Sequence, residues 1–152
     1  MHLKMANKHG GFVVGTGDLS EMALGWCTFN GDPMSMYNVN NSIPKTLVKY
    51  LIEWYARFNC TNDGLSKTLL DIIDTPISPE LLPSDGKKVV QKTESTVGPY
   101  EVIDFFIYHL MRNKFSKHKM FFLAKKAFSG VYSEEELLNY YNNFIIWLLR
   151  KK

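Results

Sequence analysis

The sequence predicts an α/β domain to which this chain contributes mostly helices. The short run Gly11-Phe12-Val13-Val14-Gly15 is apolar between glycines. It reads as a buried strand, because β-branched residues suit a pleat covered on both faces. Five or six later stretches repeat apolar residues at helical spacing. A single strand would leave its backbone N–H and C=O groups without ladder partners, which is costly in an interior. Either residues 11 to 15 are not a strand, or the remaining strands lie on chain absent from this sequence. The second is the expectation.

After the strand, Thr16 to Glu21 reads as a turn into a helix. Asp18 is the expected N-cap, and Glu21 stands three residues on, the capping-box spacing. That helix carries Met22 to Trp26. Residues 27 to 42 form a long polar loop with Gly31-Asp32-Pro33 as its turn signal, a length that points to function or motion. Ser42 is the expected cap of the next helix, with Pro44 near its first turn. Leu47, Val48, Leu51, Ile52 and Tyr55 form its inward face. A shorter helix follows with Leu65, Leu69, Leu70 and Ile73 inward.

Pro76 and Pro79 exclude helix interior from that stretch. Residues 83 to 96 are polar, and residues 85 to 96 are expected to be mobile surface. Glu101 to Arg112 is a helix apolar almost all round, which needs cover on more than one side. Asp104 within it is expected to pair with a local cation. His109 there reads as a satisfied core or interface histidine. Ser116 caps a helix with Met120, Phe121, Leu123, Ala124 and Ala127. Ser133 and Glu136 form a second capping box. The last helix is expected to bury Leu137, Tyr141, Phe144, Ile145 and Leu148.

Composition narrows the function. The chain has 152 residues, 45% hydrophobic and 14% aromatic, enough for one core. Net charge is +3, but lysine and arginine are scattered, which argues against a nucleic-acid surface. Cys27 and Cys60 stand far apart without a CxxC, so no zinc site or disulfide framework is readable. No apolar run approaches a membrane span, and a reducing cytoplasm is the expected compartment.

Five segments in order carry a family resemblance. Gly15-Thr16-Gly17-Asp18-Leu19-Ser20-Glu21 continues to Asp32. Met34 to Asn40 and Ile43-Pro44-Lys45-Thr46-Leu47 follow. Asp74-Thr75-Pro76-Ile77-Ser78-Pro79-Glu80-Leu81 and Val97-Gly98-Pro99-Tyr100-Glu101 complete the set. Together they resemble the synthetase domain of glutamine-dependent NAD⁺ synthetases, from about Met5 to Arg150. The resemblance implies an adenine nucleotide alpha-hydrolase fold, a Rossmann-like doubly wound sheet with helices on both faces. Residues 1–152 would be a truncated, mostly helical C-terminal portion with about one strand. It implies a ligase in which ATP adenylates deamido-NAD⁺ and ammonia then displaces AMP. The ammonia would come from a separate glutaminase domain, and the full enzyme would be a homo-oligomer.

By the same resemblance, Thr16, Lys45 and Ser78 align with ATP-contacting positions. Glu21 aligns with a Mg²⁺ ligand and, with Trp26, Cys27, Thr28 and Phe29, with deamido-NAD⁺ contacts. A carboxylate attacking a triphosphate needs charge screening, which Mg²⁺ and a lysine supply. Relatives that use free ammonia carry a lysine at Phe29 and an acid at Met36, so this chain sides with the glutamine-dependent branch. Local readings stand beside these roles. Glu21 serves a capping box, Thr16 closes a turn, Trp26 suits a core, and Ser78 caps Glu80. Lys45 at a helix start opposes the dipole, which favours a ligand.

The family's Ser-Gly-Gly-x-Asp-Ser pyrophosphate loop, the glutaminase domain and the basic C-terminal segment are not in these 152 residues. The expectation is a fragment or one piece of a split enzyme. The alternative is a non-catalytic remnant that binds nucleotide or oligomerises. The purified chain with ATP, Mg²⁺, ammonium and deamido-NAD⁺ is expected to form no NAD⁺, because the donors that cradle the leaving phosphates are absent. NAD⁺ production that scales with protein concentration would contradict this.

Overall fold

A computed structural model describes residues 2–25, 34–75 and 98–149. The first helix, α1 (His2–His9), ends at Gly10, whose φ of 64° turns the chain. No residue of α1 is buried. With no apolar stripe to mark it, this helix has no counterpart among the sequence expectations. The strand β1 (Val14–Gly15) pairs in parallel with β2 (Tyr37–Asn38), Val14 opposite Tyr37 and Gly15 opposite Asn38. The expected strand over residues 11–15 is therefore shorter, and Val14 and Phe12 are exposed rather than covered. The second strand lies within the stretch read as a loop. Tyr37-Asn38 has no alternation to reveal it, and pairing with β1 defines it.

Parallel strands need a crossover, and α2 (Leu19–Leu24) lies in that connection. Asp18 caps it through both arms of a capping box, and Gly25 at φ 68° closes it. At Gly15, an added Cβ would lie 2.7 Å from the Ser35 Cβ, so the close approach beside β2 requires glycine.

Next come α3 (Lys45–Trp54), a π-helical segment (Tyr55–Asn59) and α4 (Asp63–Asp74). The π segment is closed by the Cys60 N–H donating to the Tyr55 carbonyl at 2.8 Å. The Ser66 hydroxyl donates to the Ala56 carbonyl at 2.8 Å, tying α4 to it. Ala56 is buried, but Leu47, Leu51, Tyr55 and Leu65 are exposed, contrary to the expected inward faces. Val48, Ile52, Leu69, Leu70 and Ile73 are half-buried. Among the described residues, nothing covers the rest of that apolar side.

The core gathers around α5 (Tyr100–Met111), with α6 (Lys117–Ala127) and α7 (Glu134–Leu149) against it. Val102, Ile103, Phe106 and Ile107 meet Leu24 from α2, Met120 and Ala124 from α6, and Leu137, Tyr141 and Phe144 from α7. Phe106 stands edge-on to Tyr141 at 5.2 Å and tilted against Phe144 at 5.4 Å. Helix α5 is covered on several sides, as its all-round apolar sequence requires. Ser116 caps α6, and Ser133 with Glu136 forms the second box at the start of α7. Ile145 and Leu148 are half-buried at the edge of this core, not within it. His109 stacks on Phe115 at 5.4 Å, and its Nδ1 lies 2.9 Å from the Asn113 Nδ2. Burial and then Lys119 lower its pKa.

Phe106 is fully buried, while Phe58 is 74% exposed. Phe106→Ala is expected to cost about 3–5 kcal/mol in urea unfolding. Phe58→Ala should stay within about 0.5 kcal/mol. Equal losses would mean that the core is not centred on α5.

Candidate functional site

The site lies just past the carboxyl end of β1, where α2, α3 and α5 converge. Open α/β sheets place ligands beyond the carboxyl ends of their strands. Thr16 follows β1 directly and is exposed. Asp18 is 5% exposed, and its Oδ1 accepts from the Glu21 N–H at 3.0 Å. The Glu21 Oε2 accepts from the Asp18 N–H at 3.4 Å. The capping box thus holds two carboxylates side by side and leaves one oxygen of each pointing outward.

Those oxygens receive the same cation. The Lys45 Nζ lies 2.8 Å from the Asp18 Oδ2 and 2.7 Å from the Glu21 Oε1. The ammonium also stands 5.3 Å from the centre of the Tyr100 ring. Burial opposes the charge on Lys45, but hydrogen bonds to Asp18 and Glu21 and their charges prevail, and its pKa is raised. Burial pushes the Tyr100 hydroxyl up as well; Lys45 pulls against that shift, and the neighbouring carboxylates add to it.

Lys45 opens α3, whose N-cap is Pro44 with φ −67° and ψ 153°. Ser42 does not cap this helix, and proline offers no side-chain acceptor. The orphan donors of the first turn go to other elements. The Lys45 N–H donates to the Ser20 Oγ at 2.9 Å, and the Thr46 N–H donates to the Asp104 Oδ2 at 2.9 Å. The Thr46 hydroxyl donates to the same Asp104 oxygen at 2.7 Å, and the Ser20 hydroxyl donates to the Asp104 Oδ1. Among the described residues Asp104 pairs with no cation, contrary to the sequence expectation. A helix start already offers it N–H and hydroxyl donors. Burial raises its pKa, and the bonds from Ser20 and Thr46 oppose that shift.

The structure thus unites Glu21 and Lys45, with Thr16 exposed directly after β1. Trp26, Cys27, Thr28, Phe29 and Ser78 lie outside the described residues, as does the segment 85–96. Sequence reasoning gave no site role to Ser20, Thr46 or Tyr100. It treated Asp18 as a cap alone. One signal was present for Asp104: a lone carboxylate on an otherwise apolar face.

The donor chemistry suits a hard cation. Two carboxylate oxygens already converge on an ammonium at 2.7 and 2.8 Å. Among the described residues no group of three or more His, Cys, Asp or Glu could hold a metal. A pair of carboxylates is nonetheless how Mg²⁺ is commonly held, with water and phosphate oxygens completing the shell.

Fold and site define part of an α/β protein with a cation–carboxylate cluster at its strand ends. The chain belongs to the NAD synthase family, whose sequence profile matches residues 1–133. It is 46% identical over 127 residues to the glutamine-dependent NAD(+) synthetase of Mycobacterium leprae (strain TN), covering 83% of this chain and 19% of that protein. The enzyme of that name from Mycobacterium tuberculosis (strain ATCC 25618 / H37Rv) is 43% identical over 127 residues, with the same 83% and 19% coverage. That of Acinetobacter baylyi (strain ATCC 33305 / BD413 / ADP1) is 31% identical over 108 residues, 68% of this chain and 17% of the relative. The chain spans about a fifth of the length of these relatives. Among the described residues no helix is long and apolar enough to cross a membrane.

The raised pKa values make alkaline pH a probe of the cluster. Lys45 stabilises the fold fully below its ordinary pKa of 10.5, and this contribution is lost as pH rises through its higher folded value. Tyr100 acts in the same direction. The fold disfavours its ionisation, so stability drains as pH rises above its ordinary value of 10.0. Melting temperature is expected to fall more steeply above about pH 10 in the wild type than in Lys45→Met or Tyr100→Phe. Parallel curves would exclude both groups from the alkaline limb.

Proposed function

We propose that this chain is part of a glutamine-dependent NAD⁺ synthetase and forms one wall of its ATP site. The observation that carries the proposal is the convergence of Asp18, Glu21 and Lys45 beyond the end of a parallel strand. There a carboxylate pair and a cation can divide the work on a nucleotide. The reaction is adenylation of the nicotinate carboxylate of deamido-NAD⁺ by ATP, followed by amidation with glutamine-derived ammonia. Its products are NAD⁺, AMP and pyrophosphate. The setting is cytoplasmic, and the complete enzyme is a homo-oligomer.

Asp18 and Glu21 would hold Mg²⁺, which screens the triphosphate from the attacking carboxylate. Lys45 neutralises phosphate charge as a point cation, with a compact, strongly hydrated head on a flexible stem. It lies on the two carboxylates, so its ammonium and a metal would compete for the same oxygens. Thr16 and Ser78 contact ATP through their hydroxyls. Trp26, Cys27, Thr28 and Phe29 contact deamido-NAD⁺, where an aromatic face can stack on the pyridine ring.

Glu21→Gln separates this role from capping. The variant keeps the side-chain length and much of the cap geometry but loses the charge. In the complete enzyme that carries this segment, kcat at saturating substrate is expected to fall by about a hundred- to a thousand-fold, roughly 3–4 kcal/mol. The stability cost should stay near that of a cap, about 1 kcal/mol. The test is kcat and Tm across a Mg²⁺ titration. Near wild-type turnover at every Mg²⁺ concentration would remove Glu21 from the site.

A further inference from the structure

We infer that Asp104 is a positioning residue: by holding Ser20 and Thr46 it fixes the first turn of α3 and so aims Lys45 at Asp18 and Glu21. The inference rests on the nucleotide role proposed for Lys45 and adds a residue that touches neither substrate nor metal. Asp104 is 6% exposed and lies on α5, opposite the start of α3. Its two oxygens take every donor that the Ser20 and Thr46 side chains offer, and the Thr46 N–H as well.

Ser20 is the hinge of this arrangement. Its hydroxyl hydrogen goes to Asp104, which turns its lone pairs toward the Lys45 N–H. The backbone of Lys45 is thus gripped on one side by Ser20, and its successor Thr46 on the other by Asp104. Pro44 gives the helix start no side-chain cap of its own. Without Asp104, the Ser20 hydroxyl would be free to rotate and the Thr46 donors would lose their acceptor. The turn that sets the direction of the Lys45 stem would then lose its side-chain anchors, leaving only the Leu19 N–H to Ile43 carbonyl bond at 3.0 Å just before it among the described inter-element backbone bonds. A lysine stem has four rotatable carbons and sizeable rotamer entropy. A steady backbone beneath it is therefore what keeps the ammonium centred between two acceptors.

The test reads Lys45 directly in the full chain. Nitrogen-15 labelling of lysine lets the hydrogen exchange of the Lys45 ammonium be followed by NMR. Asp104→Asn keeps the size but has one acceptor oxygen in place of two. It is expected to speed that exchange about tenfold or more, with the α5–α7 core amides still protected. Thr46→Val, which removes one donor, should act in the same direction, and Thr46→Ser should restore the slow exchange. Mg²⁺–ATP affinity by calorimetry is the second readout. Asp104→Asn should weaken it in the wild-type background and add nothing in a Lys45→Met background, because coupled residues are not additive.

Unchanged Lys45 exchange in Asp104→Asn would overturn the inference. So would an equal loss of affinity in both backgrounds. If Asp104→Asn does not fold, the Thr46 pair of variants decides. If Lys45→Met matches the wild type toward Mg²⁺–ATP, the nucleotide role of Lys45 fails. The ammonium exchange then decides the positioning role by itself.

Discussion

A carboxylate buried to the depth of Asp104 is expensive unless donors surround it. That constraint organises the molecule. The donors come from α2 through Ser20 and from α3 through Thr46, while Asp104 itself rides on α5. Three helices can satisfy one another in this way in a single arrangement, because a shift of any one leaves polar groups unpaired. The start of α3 also presents the positive end of its dipole to the carboxylate. The apolar core beneath, centred on Phe106, supplies the bulk of the burial but little direction. The polar junction supplies the direction.

The same junction explains the electrostatics above it. Lys45 answers two carboxylates, so the immediate cluster of Asp18, Glu21 and Lys45 carries more negative than positive charge. Asp104 lies close behind, and all three acids act on the Tyr100 hydroxyl in the same direction. The cluster is half-buried, so water screens it less than it would a surface pair. An exposed i,i+4 pair such as Arg57–Glu53, at 2.9 Å, is a different matter and adds little to stability. What separates the two is setting and the number of partners, since the distances are alike.

The parts that could be read in the sequence are those whose partners lie within one helical turn. The boxes of Asp18 with Glu21 and of Ser133 with Glu136, and the Ser116 cap, each close over three residues. The start of α3 could not be read so. Its acceptors stand 25 and 58 residues away, and the nearby Ser42 was a false local lead. The strand pair was half visible: Val14-Gly15 has an apolar signature, while Tyr37-Asn38 owes its conformation to its neighbour. Helix α1 left no trace because it buries nothing. In the site, Glu21 and Lys45 were named from family resemblance, but nothing in their spacing showed that they meet. The face of α3 was misjudged because periodicity reports which side is apolar, and burial depends on what stands opposite.

The π-helical segment bears on how this chain tolerates change in length. An α-helix turns about 100° per residue. Tyr55 to Asn59 accommodates its surplus within one widened loop of backbone, closed by the Cys60 N–H on the Tyr55 carbonyl. Such a segment acts as a phase adjuster. It lets the helix that begins at Lys45 keep the orientation fixed by Asp104, while the backbone at Ala56 turns toward α4. Loss of one residue there would rotate the Ala56 carbonyl out of reach of the Ser66 hydroxyl and swing α4 around the axis of α3. The Lys45 end would stay where it is. Length variation is thus absorbed at the distal end of α3, a full helix away from the charges that Lys45 serves.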